Sequence, residues 1–169
     1  SFDAWCYHPQ LPELLDLVDA FPDTRVVIDH AGGRIGEGPY AARQEAVFRE
    51  WKANLQALAR RPNVFVKIGG LIGRLGGMPF IDRDTPPTSV ELAQAFAPYV
   101  ETCIEVFGPQ RAMFETNFPP DKAGCSARVL WNAFKRVTAA YSAGEKAALF
   151  AGTAARAYRL TGIPGISGD

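Results

Sequence analysis

Arg111-Ala112-Met113-Phe114-Glu115-Thr116-Asn117-Phe118-Pro119-Pro120-Asp121-Lys122 runs from a short apolar segment into polar residues and then Pro-Pro. That is how a buried parallel strand ends in a loop that carries function. Alternation puts Met113, Glu115 and Asn117 on one face and Ala112, Phe114 and Thr116 on the other. A carboxylate and an amide therefore point the same way from the end of a strand. Both are costly to bury without partners. Either they meet other polar groups in a wet pocket, or they form a satisfied structural network.

Upstream of this stretch the chain repeats one pattern. Strand-like runs cover Ser1 to Tyr7, Arg25 to His30 and Asn63 to Ile68. Helical spacing follows each of them. Leu11 to Phe21 carries Leu11, Leu14, Leu15 and Val18 on one stripe, and Ala41 to Arg61 carries Val47, Trp51, Leu55 and Leu58. A third helix is predicted from Val90 to Phe107, with Ser89 as its cap. Beyond the Arg111 strand come a helix from Ser126 to Tyr141 and a last one ending near Leu160. Ser142 and Glu145 have the spacing of a capping box at the start of that last helix.

Strand then helix, four times in one direction, means parallel strands joined by right-handed crossovers. The long loops follow the C-terminal ends of the strands, where a (β/α)8 barrel keeps its active site. The fold class is thus α/β, with residues 1–160 forming half of such a barrel and 161–169 a flexible Gly-rich tail. The alternative is a small open doubly wound sheet, but the chain has no dinucleotide-type glycine turn. Gly69-Gly70-Leu71-Ile72-Gly73 follows a strand without opening a helix, which makes it a weak phosphate cradle. Half a barrel leaves two open strand edges and an uncovered apolar interior face. The isolated chain is therefore expected to be inactive and to associate, a homo-oligomer included.

The 169 residues are 47% hydrophobic, with 18 basic and 18 acidic side chains, an ordinary globular composition. Zero net charge and the lack of a Lys/Arg run argue against nucleic acid or an anionic membrane as main partner. No apolar stretch approaches the ~20 residues of a membrane span, and no signal peptide is visible. Cys6, Cys103 and Cys125 lack CxxC spacing and read as reduced thiols of a cytoplasmic protein.

Four segments then carry a resemblance. They are Val27-Ile28-Asp29-His30-Ala31-Gly32-Gly33, Asn63-Val64-Phe65-Val66-Lys67-Ile68-Gly69-Gly70, Met113-Phe114-Glu115-Thr116-Asn117-Phe118-Pro119, and Glu145 to Leu160 with its Phe150-Ala151-Gly152-Thr153-Ala154-Ala155-Arg156 centre. In this order they resemble the amidohydrolase-2 family, TIM-barrel hydrolases related to dicarboxylate and sugar lactonases. The resemblance implies strands five to eight of the barrel with their helices. It also implies that this is a C-terminal portion of a longer protein, because the family's opening His-x-His strand has no counterpart here.

The histidines are His8 and His30. A lone His at the end of a buried strand is often a satisfied core residue. The resemblance implies for His30 a metal-ligand or substrate-polarising role, which neutral imidazole suits. His8 has two open readings, a substrate contact or a loop hydrogen bond. Lys67 also has two, a structural ion pair with Glu115 on the next strand or the binding of a substrate carboxylate. Asp3 and Trp5 share a face and are candidate pocket residues. Asp29, of opposite parity to His30, is expected to face the helices, and Asp121 and Lys122 to sit on the rim. The family's usual motif Gly-Ser-Asp-Trp-Pro reads Glu115-Thr116-Asn117-Phe118-Pro119 here. An amide can coordinate a metal but cannot act as a general base. Glu115, on the same face, restores a carboxylate to the site.

The resemblance therefore implies a hydrolase acting on a lactone or similar cyclic ester of a small carboxylated molecule. His30, Glu115 and Asn117 would be catalytic and Asp3, Trp5, His8 and Lys67 would contact substrate. A divalent ion, zinc or manganese, would sit on His30 and Asn117. A decarboxylase of an aromatic or unsaturated acid, and a non-catalytic binding domain, are the alternatives.

Overall fold

In a computed structural model, which describes residues 1–73, 76–78 and 80–162, the predicted strand runs form a parallel sheet. Its strands are β1 (Phe2–Ala4), β2 (Val26–Ile28), β3 (Val64–Ile68) and β4 (Ala112–Phe114), side by side in chain order. Ala4 lies opposite Ile28, Ile28 opposite Val66, and Ile68 opposite Phe114. The strands are shorter than the runs that predict them, with Trp5 to Tyr7, Asp29 and His30, and Glu115 and Thr116 falling in the loops.

One face of the sheet is covered by the crossover helices α1 (Leu11–Ala20), α2 (Gln44–Ala59) and α3 (Ser89–Phe107), and by α4 (Ala127–Val137) after β4. Ala4, Val26, Ile28, Val64, Val66, Ile68, Ala112 and Phe114 point into that layer. They meet the predicted helix stripes, with Trp51, Leu55, Phe96 and Phe134 fully buried. Each such side chain contributes about 1.5–3 kcal/mol of burial. The third helix is capped by Thr88 rather than Ser89. Thr88 Oγ1 accepts from the Glu91 N–H at 3.2 Å, and the Thr88 N–H donates to Glu91 Oε2 at 2.8 Å, a complete capping box.

The other face, turned away from these helices, is not left open. After α5 (Ala143–Ala147) and a π-helical turn, Ala148–Gly152, the chain enters α6 (Thr153–Tyr158). Ala154, Ala157 and Tyr158 of α6 pack on Val27, Phe65 and Met113. The Arg25 guanidinium donates to the carbonyls of Arg156 and Ala157 at 2.8 and 2.7 Å and holds the end of α6 in place. The expectation of an uncovered apolar interior face is corrected: the chain covers part of it with its own last helix. Residues 163–169 of the expected tail lie outside the described residues, as do 74, 75 and 79 of the loop after β3. Among the described residues no helix is long and apolar enough to cross a membrane.

Candidate functional site

The strand ends bring together His30, Glu115, Asn117 and Asp121. His30 follows β2 with φ 52° and Asn117 follows β4 with φ 49°. Both are in the left-handed region, which costs a non-glycine residue about 1 kcal/mol or more. At His30 the turn breaks the strand's alternation, so the ring leaves the helix-facing side of Val26 and Ile28 and swings to the mouth of the sheet. There its Nδ1 meets Glu115 Oε1 at 2.6 Å, and its backbone N–H donates to the same oxygen at 3.0 Å. An ionised carboxylate only accepts, so Nδ1 carries the proton and Nε2 is the ring nitrogen left for a substrate.

Gly69 and Gly70 make this contact possible. A Cβ on Gly69 would lie 2.4 Å from Glu115 Cγ, and one on Gly70 would lie 2.6 Å from the His30 ring. The paired glycines are clearance for the dyad rather than a phosphate cradle. Burial pulls the His30 pKa down, but the hydrogen bond and charge of Glu115 outweigh it and leave the pKa raised.

Asn117 Nδ2 donates to Asp121 Oδ1 at 2.8 Å. Asp121 is 3% exposed, and its Oδ2 is buried with no partner. Burial pushes its pKa up to about 6, against the Asn117 hydrogen bond that lowers it. The rim position expected for Asp121 is thus corrected, because the 3-10 turn Pro120–Ala123 folds it inward. The signal lay in its four-residue spacing from Asn117 across Pro-Pro.

A cavity of about 330 Å³ opens at this end of the sheet, lined by His30, Asn117, Trp5, Tyr7, Arg34 and Tyr99 among others. Trp5 stands at its mouth, 59% exposed. Glu115 and Asp121 lie behind the lining. Arg34 was not singled out in the sequence, where it is one cation in a Gly-rich loop.

The remaining candidates lie elsewhere. Lys67 reaches Asp3 Oδ2 at 2.8 Å and Asp29 Oδ1 at 2.8 Å, the second an ion pair off hydrogen-bond alignment. Tyr158 donates to Asp3 Oδ2 at 2.7 Å. Burial opposes the Lys67 charge, but the two carboxylates overcome it and raise the pKa. Asp29 therefore faces away from the helices, with Asp3 and Lys67, which corrects its expected side. The expected Lys67–Glu115 pair does not form. Glu115 N–H bonds to Ile68 O, so Glu115 sits level with Gly69, two residues and roughly 6–7 Å beyond Lys67. Neither Lys67 nor Asp3 lines the cavity. His8 is fully buried away from it, and its Nδ1 accepts from the Ile35 N–H at 3.2 Å, the loop hydrogen bond of its two readings.

A zinc or manganese site fits poorly with these donors. His30 offers only Nε2, and Asn117 offers its amide oxygen. Among the described residues no three His, Cys, Asp or Glu side chains converge on one point. Zinc takes three protein ligands at the least. A metal in the whole protein would need most of its ligands from outside the described residues.

Comparison with known proteins accords with this architecture. A family model described as Amidohydrolase, that of the amidohydrolase-2 family, matches residues 1–160. The chain is 36% identical over 160 residues to the uncharacterized protein y4mH of Sinorhizobium fredii, covering 95% of this chain and 47% of that one. It is 28% identical over 163 residues to an L-fucono-1,5-lactonase of Burkholderia multivorans, covering 94% and 51%. The chain thus spans about half the length of the curated relatives it matches. A crystal structure of an amidohydrolase from Burkholderia multivorans with bound HEPES superposes with a TM-score of 0.79 at 26% identity, covering 93% of this chain and 52% of that one. A second structure of that amidohydrolase, with bound zinc, gives 0.76 at 27% identity, covering 93% and 51%. Those neighbours are TIM-barrel amidohydrolases of which this chain matches half, and the parallel sheet described above is a partial barrel of that kind. By its matched residues and its fold, the chain belongs to the amidohydrolase-2 family.

Proposed function

We propose that the whole protein opens a lactone, with His30 as its general base and Glu115 holding that base in place. The observation that carries this reading is the 2.6 Å contact between His30 Nδ1 and Glu115 Oε1 at the wall of the cavity. Water attacks the lactone carbonyl while Nε2 takes its proton. The tetrahedral oxyanion then collapses, the ring C–O bond breaks, and the departing alkoxide recovers the proton from Nε2. The product is the open hydroxy acid. Asn117, tethered to Asp121, presents a neutral polar group beside the reacting carbonyl. Glu115 thereby acts as a positioning residue, because its carboxylate is committed to the imidazole.

The lactonase relative supports aldonolactones as first substrates. The test is hydrolysis of L-fucono-1,5-lactone and related sugar lactones by the whole protein and its His30→Gln variant. Turnover is expected to fall roughly 10²–10⁴-fold in the variant. Equal turnover in both proteins would reject His30 as the base.

A further inference from the structure

Asn117 and Asp121 are joined twice. The Asp121 N–H donates to the Asn117 carbonyl at 3.1 Å, and Asn117 Nδ2 donates to Asp121 Oδ1 at 2.8 Å. The second bond decides which way the amide points. Asp121 is ionised at neutral pH, above its pKa of about 6, and an ionised carboxylate only accepts. Turning the amide over would set two oxygens against each other, so Nδ2 faces Asp121. Asn117 lines the cavity and Asp121 lies behind it, which leaves the amide oxygen on the cavity side. Among the described residues that oxygen has no hydrogen-bond partner. An amide N–H in its place would suit an oxyanion, whereas an oxygen suits only a proton donor. Asp121 itself is 3% exposed and, among the described residues, its carboxylate has no ion pair and no hydrogen bond but this one. A buried carboxylate held by so little is costly to the fold. The backbone bond already closes the turn without it.

We infer that Asp121 is a positioning residue, which turns the Asn117 oxygen to the cavity as the acceptor that orients the attacking water. The inference rests on the proposed lactone opening and adds a part to it. Water has two O–H bonds. One proton passes to His30 Nε2 as the oxygen bonds to the carbonyl carbon. The other stays on that oxygen, donated to Asn117 Oδ1, and ends as the O–H of the product acid. Two acceptors fix both hydrogens and so aim the lone pair at the carbonyl. A base alone would leave the water free to turn about one hydrogen bond. Glu115, which holds the His30 ring, stands two residues before Asn117, so one strand end places both acceptors.

The test is a choice between nucleophiles. Methanol has one O–H and converts the lactone to the methyl ester of the same hydroxy acid. Its proton can pass to His30, but its methyl group then meets the Asn117 oxygen, which loses its donor. The whole protein is given a sugar lactone in water containing methanol, and the ratio of acid to ester is measured. Both products come from one sample, so the ratio is independent of the folded fraction. Relative to uncatalysed opening, wild type is expected to favour water by roughly tenfold, the effect of one unmet hydrogen bond. Asp121→Leu, which cannot accept from Nδ2, should lose that preference, and Asp121→Asn, which can, should keep most of it. Asn117→Gly removes the amide and takes φ 49° without strain. It should lose the preference as well, and Asp121→Leu added to it should move the ratio no further. Full preference for water in Asp121→Leu or in Asn117→Gly overturns the inference, and so does a further shift in the double variant. If Asp121→Leu does not fold, Asp121→Ala takes its place. A wild type that opens no lactone overturns the reaction and this role together. An active wild type without the preference overturns the role alone.

Discussion

Two polar clusters stand on strands of one sheet, and they are built on opposite terms. The one farther from the site loops, Asp3–Lys67–Asp29–Tyr158, is an ion-pair network. One ammonium lies between two carboxylates, and a phenol caps one of them. The cluster at the rim, His30–Glu115–Asn117–Asp121, is built under strain. Two of its residues are held at positive φ and two glycines are needed for its side chains to meet, whereas a buried carboxylate oxygen without a hydrogen bond occurs in both clusters, Asp121 Oδ2 here and Asp29 Oδ1 in the other. Ion-paired networks rigidify a fold. Backbone strain persists only where surrounding structure holds it, and it gathers at working sites. The two clusters thus separate a device for stability from a device for chemistry, although both read as charged residues on strand ends.

The comparison can be broken outright by one pair of substitutions. Lys67→Met leaves two carboxylates facing each other, and should lower stability by roughly 2–3 kcal/mol, an estimate reduced for the cluster's partial exposure. Folded Lys67→Met protein should keep turnover within about threefold, the scatter of a residue outside the reacting group. His30→Gln should do the reverse, with a urea midpoint close to wild type and turnover largely gone. If Lys67→Met loses turnover as His30→Gln does, the two clusters form one site.

A second, smaller effect sharpens the role of Glu115. The raised His30 pKa favours the protonated ring in the folded state. The stability this contributes is complete below the unfolded histidine pKa and is lost as pH rises through the folded one. The base, however, is the neutral ring, so turnover should rise with pH through that same folded pKa. Glu115→Gln should move the acid limb of kcat/KM to lower pH and reduce kcat. A limb that stays in place in Glu115→Gln would show that Glu115 does not act through His30.

The smallest effect lies at Asp121. Its pKa rises from 3.8 to about 6 on folding. Between those values the folded protein binds more protons than the unfolded, so this carboxyl makes stability fall as pH rises across the window. Asp121→Asn still accepts from Asn117 and cannot ionise. Its stability curve, followed by urea midpoints from pH 4 to 7, should lose that slope. An unchanged slope would mean that Asp121 titrates like a surface acid.

The parallel half-barrel was legible because short apolar or aromatic runs, β-branched in β2 and β3, alternate with amphipathic stripes. His30, Glu115 and Asn117 were legible as residues just past strand ends. Their partners were not, since parity predicts facing only while the backbone stays extended. The positive φ at His30 reverses its direction, which also misplaced Asp29. Lys67 was paired with the wrong carboxylate because strand stagger, unlike strand order, leaves no mark in one sequence. Thr88 could have been read, as Glu91 stands three residues after it, whereas Ser89 has Leu92 at that spacing. Nothing in the spacing of Ala154, Ala157 and Tyr158 said that they would cross to the far face of the sheet.

That crossing has a consequence for how the chain reaches its final form. The hydroxyl that completes Asp3 belongs to a residue 155 positions later. On the ribosome, the strands and crossover helices can assemble while α6 is still being made. Until residue 158 emerges, Val27, Phe65 and Met113 lack the cover that α6 gives them. This part of the sheet is therefore completed last, from the far end of the chain.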